Sequence, residues 1–247
     1  MRNISQSFKL IRESLVDSNK IFKESKTIKI LFLIPLFITF TLYMGFGYYL
    51  ITRVSDYIRQ LMIQWLGLPN IENFFSYLLF VIFSCGMFFI INSTLIISLS
   101  IISIPFNGLL AQKTKQILQN EVDNSQKKFS LKELFMLKKS SFTRAFIIAM
   151  CSLFLMAISI IPGLFLIVFP LTCLLFAINF LDYTWEEYQL STSEIINNTK
   201  KNLLSYIFAG ILCLLLASIP LVNIIVIPGA VIFFSVLYDK TQKYEST

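Results

Sequence analysis

The sequence contains no histidine in 247 residues. Without an imidazole there is no His acid or base, no His metal ligand and no side chain that ordinarily titrates near neutrality. Charge is also scarce. Asp, Glu, Lys and Arg make up 14% of the chain, against about 25% in a typical soluble domain. The four cysteines, Cys85, Cys151, Cys173 and Cys213, each stand alone inside an apolar stretch. They read as small apolar side chains, not as a disulfide framework or a metal site. Polar loops carry no paired-acid motif. An enzyme has little chemistry to draw on here, and neither a metal nor a cofactor is expected. A cleaved secretory leader is not expected either. Residues 1–29 hold seven Lys/Arg, and the apolar run that follows is too long for a leader's core.

What is abundant is apolar bulk. Hydrophobic residues make up 56% of the chain, including 25 Phe, and mean hydropathy is +0.73. Four runs carry no charge at all: 30–52 (23 residues), 73–112 (40), 145–181 (37) and 202–238 (37). Runs of about 18 or more apolar residues insert into membranes. The expected class is an all-α integral membrane protein, laid out as a single membrane domain over 1–247. The formal net charge of +7 does not point to nucleic acid, because the basic residues flank the apolar runs, as orientation signals do.

Residues 1–29 read as a basic amphipathic helix lying on anionic lipid. Phe8, Ile11, Leu15, Ile21 and Phe22 form its stripe, and Lys9, Arg12, Lys20, Lys23, Lys26 and Lys29 its basic side. Span 1 covers 30–52, about 34 Å of helix against a hydrocarbon core of about 30 Å. Span 2 covers 73–104 and carries Asn92 near its centre. At Pro105-Phe106-Asn107-Gly108 the apolar helix is expected to end and a polar one to begin. The 105–144 segment is basic, with its lysines reading as a solvated surface. Hairpin 1 (145–181) turns at Pro162-Gly163, and hairpin 2 (202–238) at Pro220 to Asn223, with Pro228 following. Legs of 17 or so residues reach only about 26 Å. Neither tip carries a charge, so the hairpins are expected to re-enter, with their tips at membrane depth. Short full spans are the competing reading. A tail, 239–247, ends the chain.

Four stretches in register resemble the CysZ-type sulfate transporters of bacteria. They are Pro105-Phe106-Asn107-Gly108-Leu109-Leu110-Ala111, Ile161-Pro162-Gly163, the 177–183 run Ala-Ile-Asn-Phe-Leu-Asp-Tyr with Asn179 and Asp182, and Ile219-Pro220-Leu221-Val222-Asn223 with Pro228 beyond. The resemblance covers about residues 28 to 240. It implies two long transmembrane helices, two hemi-penetrating hairpins, homo-oligomerisation, the bacterial inner membrane and sulfate uptake for cysteine synthesis. It also implies sulfate contacts just ahead of span 1. There the family commonly has a Gly and two Arg, whereas this chain has Thr27, Lys29 and Ile30, with Lys26 nearby. Lysine offers an oxyanion a point charge where arginine offers a planar fork.

Sulfate cannot cross hydrocarbon uncompensated, and the uncharged runs hold no cation. A path must use backbone N–H groups at helix breaks (Pro105, Pro162, Pro220, Pro228) and neutral side chains such as Asn92, Asn107, Asn179 and Asn223. For any one asparagine, interhelical hydrogen bonding is the plainer reading. The runs also lack a carboxylate, and Asp182 stands only at an edge. This favours a channel-like or facilitated route over a proton-coupled one. Two rival readings remain open: transport of another small solute, and a membrane structural or assembly protein of the same fold.

Orientation follows from the basic residues. Segments 1–29 and 105–144 carry seven and eight Lys/Arg, and the 53–73 connector carries two. The first two segments therefore face the cytoplasm, and the C-terminus does so too if both hairpins re-enter from that side. Single cysteines near positions 60 and 125 test this. The 60 site should react with an impermeant thiol reagent from outside, and the 125 site only after permeabilisation. The opposite pattern reverses the topology.

Overall fold

The computed structural model describes residues 3–41, 45, 102–119, 147, 150–151, 154–155, 158, 163–219 and 222–245. Among them the regular elements are all helices: α1 (Ile4–Glu24), α2 (26–41), α3 (102–118), α4 (Phe165–Glu187), α5 (Thr192–Lys201), α6 (Leu203–Ala217) and α7 (Val222–Glu245). Two of these contain stretches long and apolar enough to cross a membrane, Leu166–Glu187 and Ile225–Tyr244. The chain is an all-helical membrane protein. It forms two compact units, Met1–Leu33 with Ser103–Thr247, and Ile34–Ile102. In the second unit, residues 34–41 are helical, and Thr39 and Thr41 return their hydroxyls to the carbonyls four residues back. Residues 42–44 and 46–52 of expected span 1, 73–101 of span 2 with Asn92, the 120–144 segment, Pro162 and Pro220 lie outside the described residues.

In the first unit α7 is the centre. Ala230 to Asp239 are buried on every side, as expected of a helix apolar all round. α4 packs beside it in parallel register. Phe180 stacks on Phe234 at 6.2 Å, and Tyr188 meets Tyr238 edge-on at 4.9 Å. Between these pairs the Thr184 and Ser235 hydroxyls share a buried 2.8 Å hydrogen bond. α6 runs back against both. It meets α4 where a Cβ on Gly210 would collide with the Cys173 carbonyl oxygen. Only a residue without a side chain lets the two backbones come so close.

Local chemistry sets the helix ends. α1 opens on an Asn3–Gln6 capping box and α5 on a Ser191–Glu194 one, each satisfying first-turn amides. The Ser191 hydroxyl and amide donate to the Glu194 carboxylate and hold it below its usual range. α5 and α6 meet at an 82° bend on Asn202. The Asn202 amide side chain bonds the Asn198 carbonyl at 3.1 Å, and the Tyr206 hydroxyl donates to Asn198 Oδ1 at 2.6 Å. Gly163, at φ +90°, makes the left-handed turn into α4, which favours glycine.

Three expectations need correction. Neither Pro105 nor Pro228 breaks its helix: 102–118 and 222–245 are continuous. A proline inside a helix removes only its own N–H and crowds one carbonyl, a loss that packed apolar helices absorb. Asn107-Gly108 is accordingly helical and not a turn. The second hairpin legs are also longer than their apolar parts, at 23 and 24 residues, because helix continues through the charged residues beyond 181 and 238. Finally, α1 does not lie free on lipid. Ser7, Leu10, Ile11, Ser14 and Ile21 are buried against α6 and α7, and the Ser205 hydroxyl donates to Ser7 Oγ at 3.0 Å. Of the expected stripe, Ile11 and Ile21 face inward while Phe8 and Leu15 stay exposed.

The α4–α6 contact makes a direct prediction. Gly210→Ala drives a methyl into backbone that cannot step aside, and should destabilise the folded protein by about 1–3 kcal/mol or more. Gly108→Ala, where a Cβ meets nothing within 4 Å among the described residues, should be tolerated. Thermal melting of the two variants in one detergent gives the comparison.

Candidate functional site

The basic corner ahead of the first expected span is built by a single residue. Ser25 closes α1, its N–H donating to the Ile21 carbonyl at 3.0 Å. It also opens α2, with its hydroxyl accepting from the Ile28 amide at 3.3 Å. Phe22 and Phe32 pack edge-on across the joint at 4.9 Å, above the buried Ile28 and Leu31. The first amides of a helix have no partner within it and carry its positive end. At α2 those amides belong to Lys26 and Thr27. Lys26 is exposed, and Thr27 and Lys29 are half-exposed. The Lys29 ammonium donates to the Lys23 carbonyl at the end of α1, at 2.6 Å. It thus stands between two helix ends, with donors left over for an anion. The three sequence-named contacts do sit together, at a helix N-terminus of the kind that binds oxyanions.

The other named residues spread along α3, α4 and α7. On α3, Asn107 is buried at 3% exposure, with Pro105, Phe106 and Gly108 half-buried around it. The Asn107 side chain meets the Tyr183 hydroxyl of α4. Among the described residues its Oδ1 has no hydrogen-bond partner, and neither does the Ser103 hydroxyl one turn earlier. Asn179 and Asp182 are half-buried on α4. Gly163 is exposed at the start of α4 and Pro228 is buried within α7, where Asn223 holds the second position. Pro228 frees a carbonyl and no amide. That is an acceptor, which an anion does not want.

Sequence reading missed the polar ties at the charged ends of the helices. Lys115, taken as solvated, is half-buried. It donates to the Glu187 carbonyl at 2.9 Å and lies 4.6 Å over the Tyr188 ring, a cation placed where the α4 dipole favours one. Lys240 reaches from α7 to Asp17 at 2.6 Å and Glu13 at 3.6 Å on α1. Ser7 and Ser14, spaced i, i+7 on α1, were the signal for a close helix contact. Among the described residues of α4, α6 and α7, charge is confined to these ends. At the opposite ends Leu164, Leu166 (80% exposed), Ile167, Leu215, Leu216, Ile219 and Ile225 are bare apolar surface.

Comparison with known proteins identifies the family. Residues 15–228 match the family model described as Sulfate transporter CysZ/Etoposide-induced protein 2.4. A protein named Sulfate transporter CysZ from Vibrio cholerae is 27% identical over 205 residues, 80% of each chain. Its namesake from Pseudomonas syringae is 29% identical over 218 residues, 84% of this chain and 83% of that one. The one from Pseudomonas fluorescens is also 29% identical, over 84% of each. With most of its length inside the match, from the second half of α1 to Pro228, the chain belongs to the Sulfate transporter CysZ/Etoposide-induced protein 2.4 family.

Proposed function

We propose that this protein carries sulfate across the bacterial inner membrane by a channel-like or facilitated route, as a homo-oligomer with cytoplasmic termini, supplying sulfate for cysteine synthesis. The reading rests on family membership together with one observation: Lys26, Thr27 and Lys29 gather at the open N-terminus of α2. An anion held there meets amide donors and ammonium charge together. Beyond this corner the apolar segments carry no cation, so hydration must be replaced by neutral donors. Asn107 and Tyr183, with Asn92, Asn179 and Asn223, are the proposed lining. Pro105, Phe106 and Gly108 shape α3 around it, while Asp182, at the edge, sets the mouth. Pro162, Gly163, Pro220 and Pro228 shape the hairpins.

Hairpin re-entry is part of the same proposal. The apolar part of α6 is 15 residues, about 22 Å long, and those of α4 and α7 reach about 25 Å. These uncharged lengths fall short of a hydrocarbon core of about 30 Å, and α4 and α7 reach a spanning length only by including their charged final turns. Their bare leucine and isoleucine tips support an ending inside the bilayer, where a water-facing turn would carry charge. A single cysteine at Gly163 should therefore resist impermeant thiol reagents from either side. Ready labelling from the face opposite the termini means full spans instead.

A second reading draws on a specific observation. Lys29 is already engaged with the Lys23 carbonyl, and no arginine stands at the corner. This favours a structural or assembly protein without transport. Sulfate titration on purified protein separates the two readings. A hydrogen bond to a charged group contributes about 1.5–3 kcal/mol, so Lys29→Ala should weaken binding roughly ten- to a hundredfold. Lys29→Arg should preserve or tighten binding. Unmodified protein with no sulfate binding at millimolar concentration removes the transporter reading.

A further inference from the structure

The apolar face of α1 is wider than the protein covers. Ser7, Leu10, Ile11 and Ser14 are buried against α6 and α7, but Ile4 and Phe8 are each 54% exposed and Leu15 41%. At 3.6 residues per turn these three share a strip beside the buried face. Arg12 and Lys9 follow on its outer side, both exposed. A groove of about 640 Å³ lies on the outer side of α1 and meets that strip only at Phe8; it is lined by Phe8, Lys9, Arg12, Glu13, Val16, Asp17 and Lys240. Lys240 is committed to the two acids, at 2.6 Å from Asp17 and 3.6 Å from Glu13. That one ammonium offsets one of the two negative charges, and with Lys9 and Arg12 the groove carries three cations against two acids.

We infer that this groove is a binding site for one anionic phospholipid. The headgroup phosphate takes Arg12 and Lys9, and an acyl chain lies along Phe8 and Val16. Charge and shape favour that occupant. A fork-shaped guanidinium beside an ammonium suits a phosphate, and the exposed flank of Phe8, whose other side packs on Phe208 at 4.8 Å, suits a hydrocarbon tail together with Val16. A soluble anion would have no use for Phe8 and Val16, and a zwitterionic lipid brings, with the same phosphate, a quaternary ammonium that the paired cations repel. The site is separate from the Lys26–Lys29 corner and does not depend on sulfate transport.

Full-length protein in neutral detergent, titrated with phosphatidylglycerol or phosphatidylcholine and followed by native mass spectrometry, tests this. Phosphatidylglycerol should be retained preferentially. Two basic residues near a lipid surface together contribute roughly thirtyfold in affinity, so the Lys9→Gln/Arg12→Gln variant should lose about that much. Val16→Glu, which places an acid on the groove wall, should weaken retention without removing a cation. Lys29→Ala should leave it unchanged. Melting curves of the lipid-free variants establish that each is folded. Equal retention of both lipids, wild-type retention by the double glutamine variant, or displacement by millimolar inorganic phosphate would each overturn the proposal. The last result would mark a site for a free anion.

Discussion

Inside hydrocarbon a backbone amide or carbonyl has no water to fall back on, and leaving one unmade costs several kcal/mol. That constraint organises everything described in the first unit. It keeps helix running through Pro105, Pro170 and Pro228, because losing one donor costs less than unwinding a turn. It also explains why side-chain hydroxyls return to their own helices. Thr114 and Thr172 each donate to the carbonyl four residues back, an arrangement that needs no outside partner. With the backbone satisfied internally, helices associate by shape. Small residues then decide where they touch, as at Gly210 against Cys173 and Ser7 against Ser205.

Polar chemistry is pushed to one end of the bundle as a result. There the bend at Asn202, the Lys115 contact with the end of α4 and the Lys240 bridge to α1 tie separate helices together. Each tie uses a group that hydrocarbon would penalise. The placement of the basic corner follows the same rule. Ammonium groups belong where helix ends already expose unpaired amides and carbonyls, and Lys29 finds such a carbonyl at Lys23.

The membrane class, the helical content and the family were legible in the sequence, because run length and missing charge report directly on the surrounding solvent. Pro162-Gly163 was read as a turn, and Gly163 does adopt a left-handed conformation. Pro105 and Pro228 misled, since proline reads as a breaker from water-based experience while buried helices tolerate it. The face of α1 was also misjudged. Its stripe was picked by hydrophobicity alone, but Ser7 and Ser14 lie deeper than Phe8 because close backbone approach excludes large side chains. Lys115 and Lys240 were invisible as partners. Their contacts join residues 72 positions apart in one case and more than 200 in the other, and no local pattern encodes such pairings.

The joint at Ser25 has a mechanical meaning. One residue ends α1 and begins α2, so no slack chain lies between them. Loops elsewhere absorb motion by changing many dihedrals a little, whereas here two torsions must absorb all of it. α1 is also gripped at its other turns, by Ser205 through Ser7 and by Lys240 through Asp17. Tilting α1 therefore acts as a lever on the first turn of α2. The seating of α1 on its neighbours and the position of the Lys26 and Thr27 amides are thus coupled through one residue.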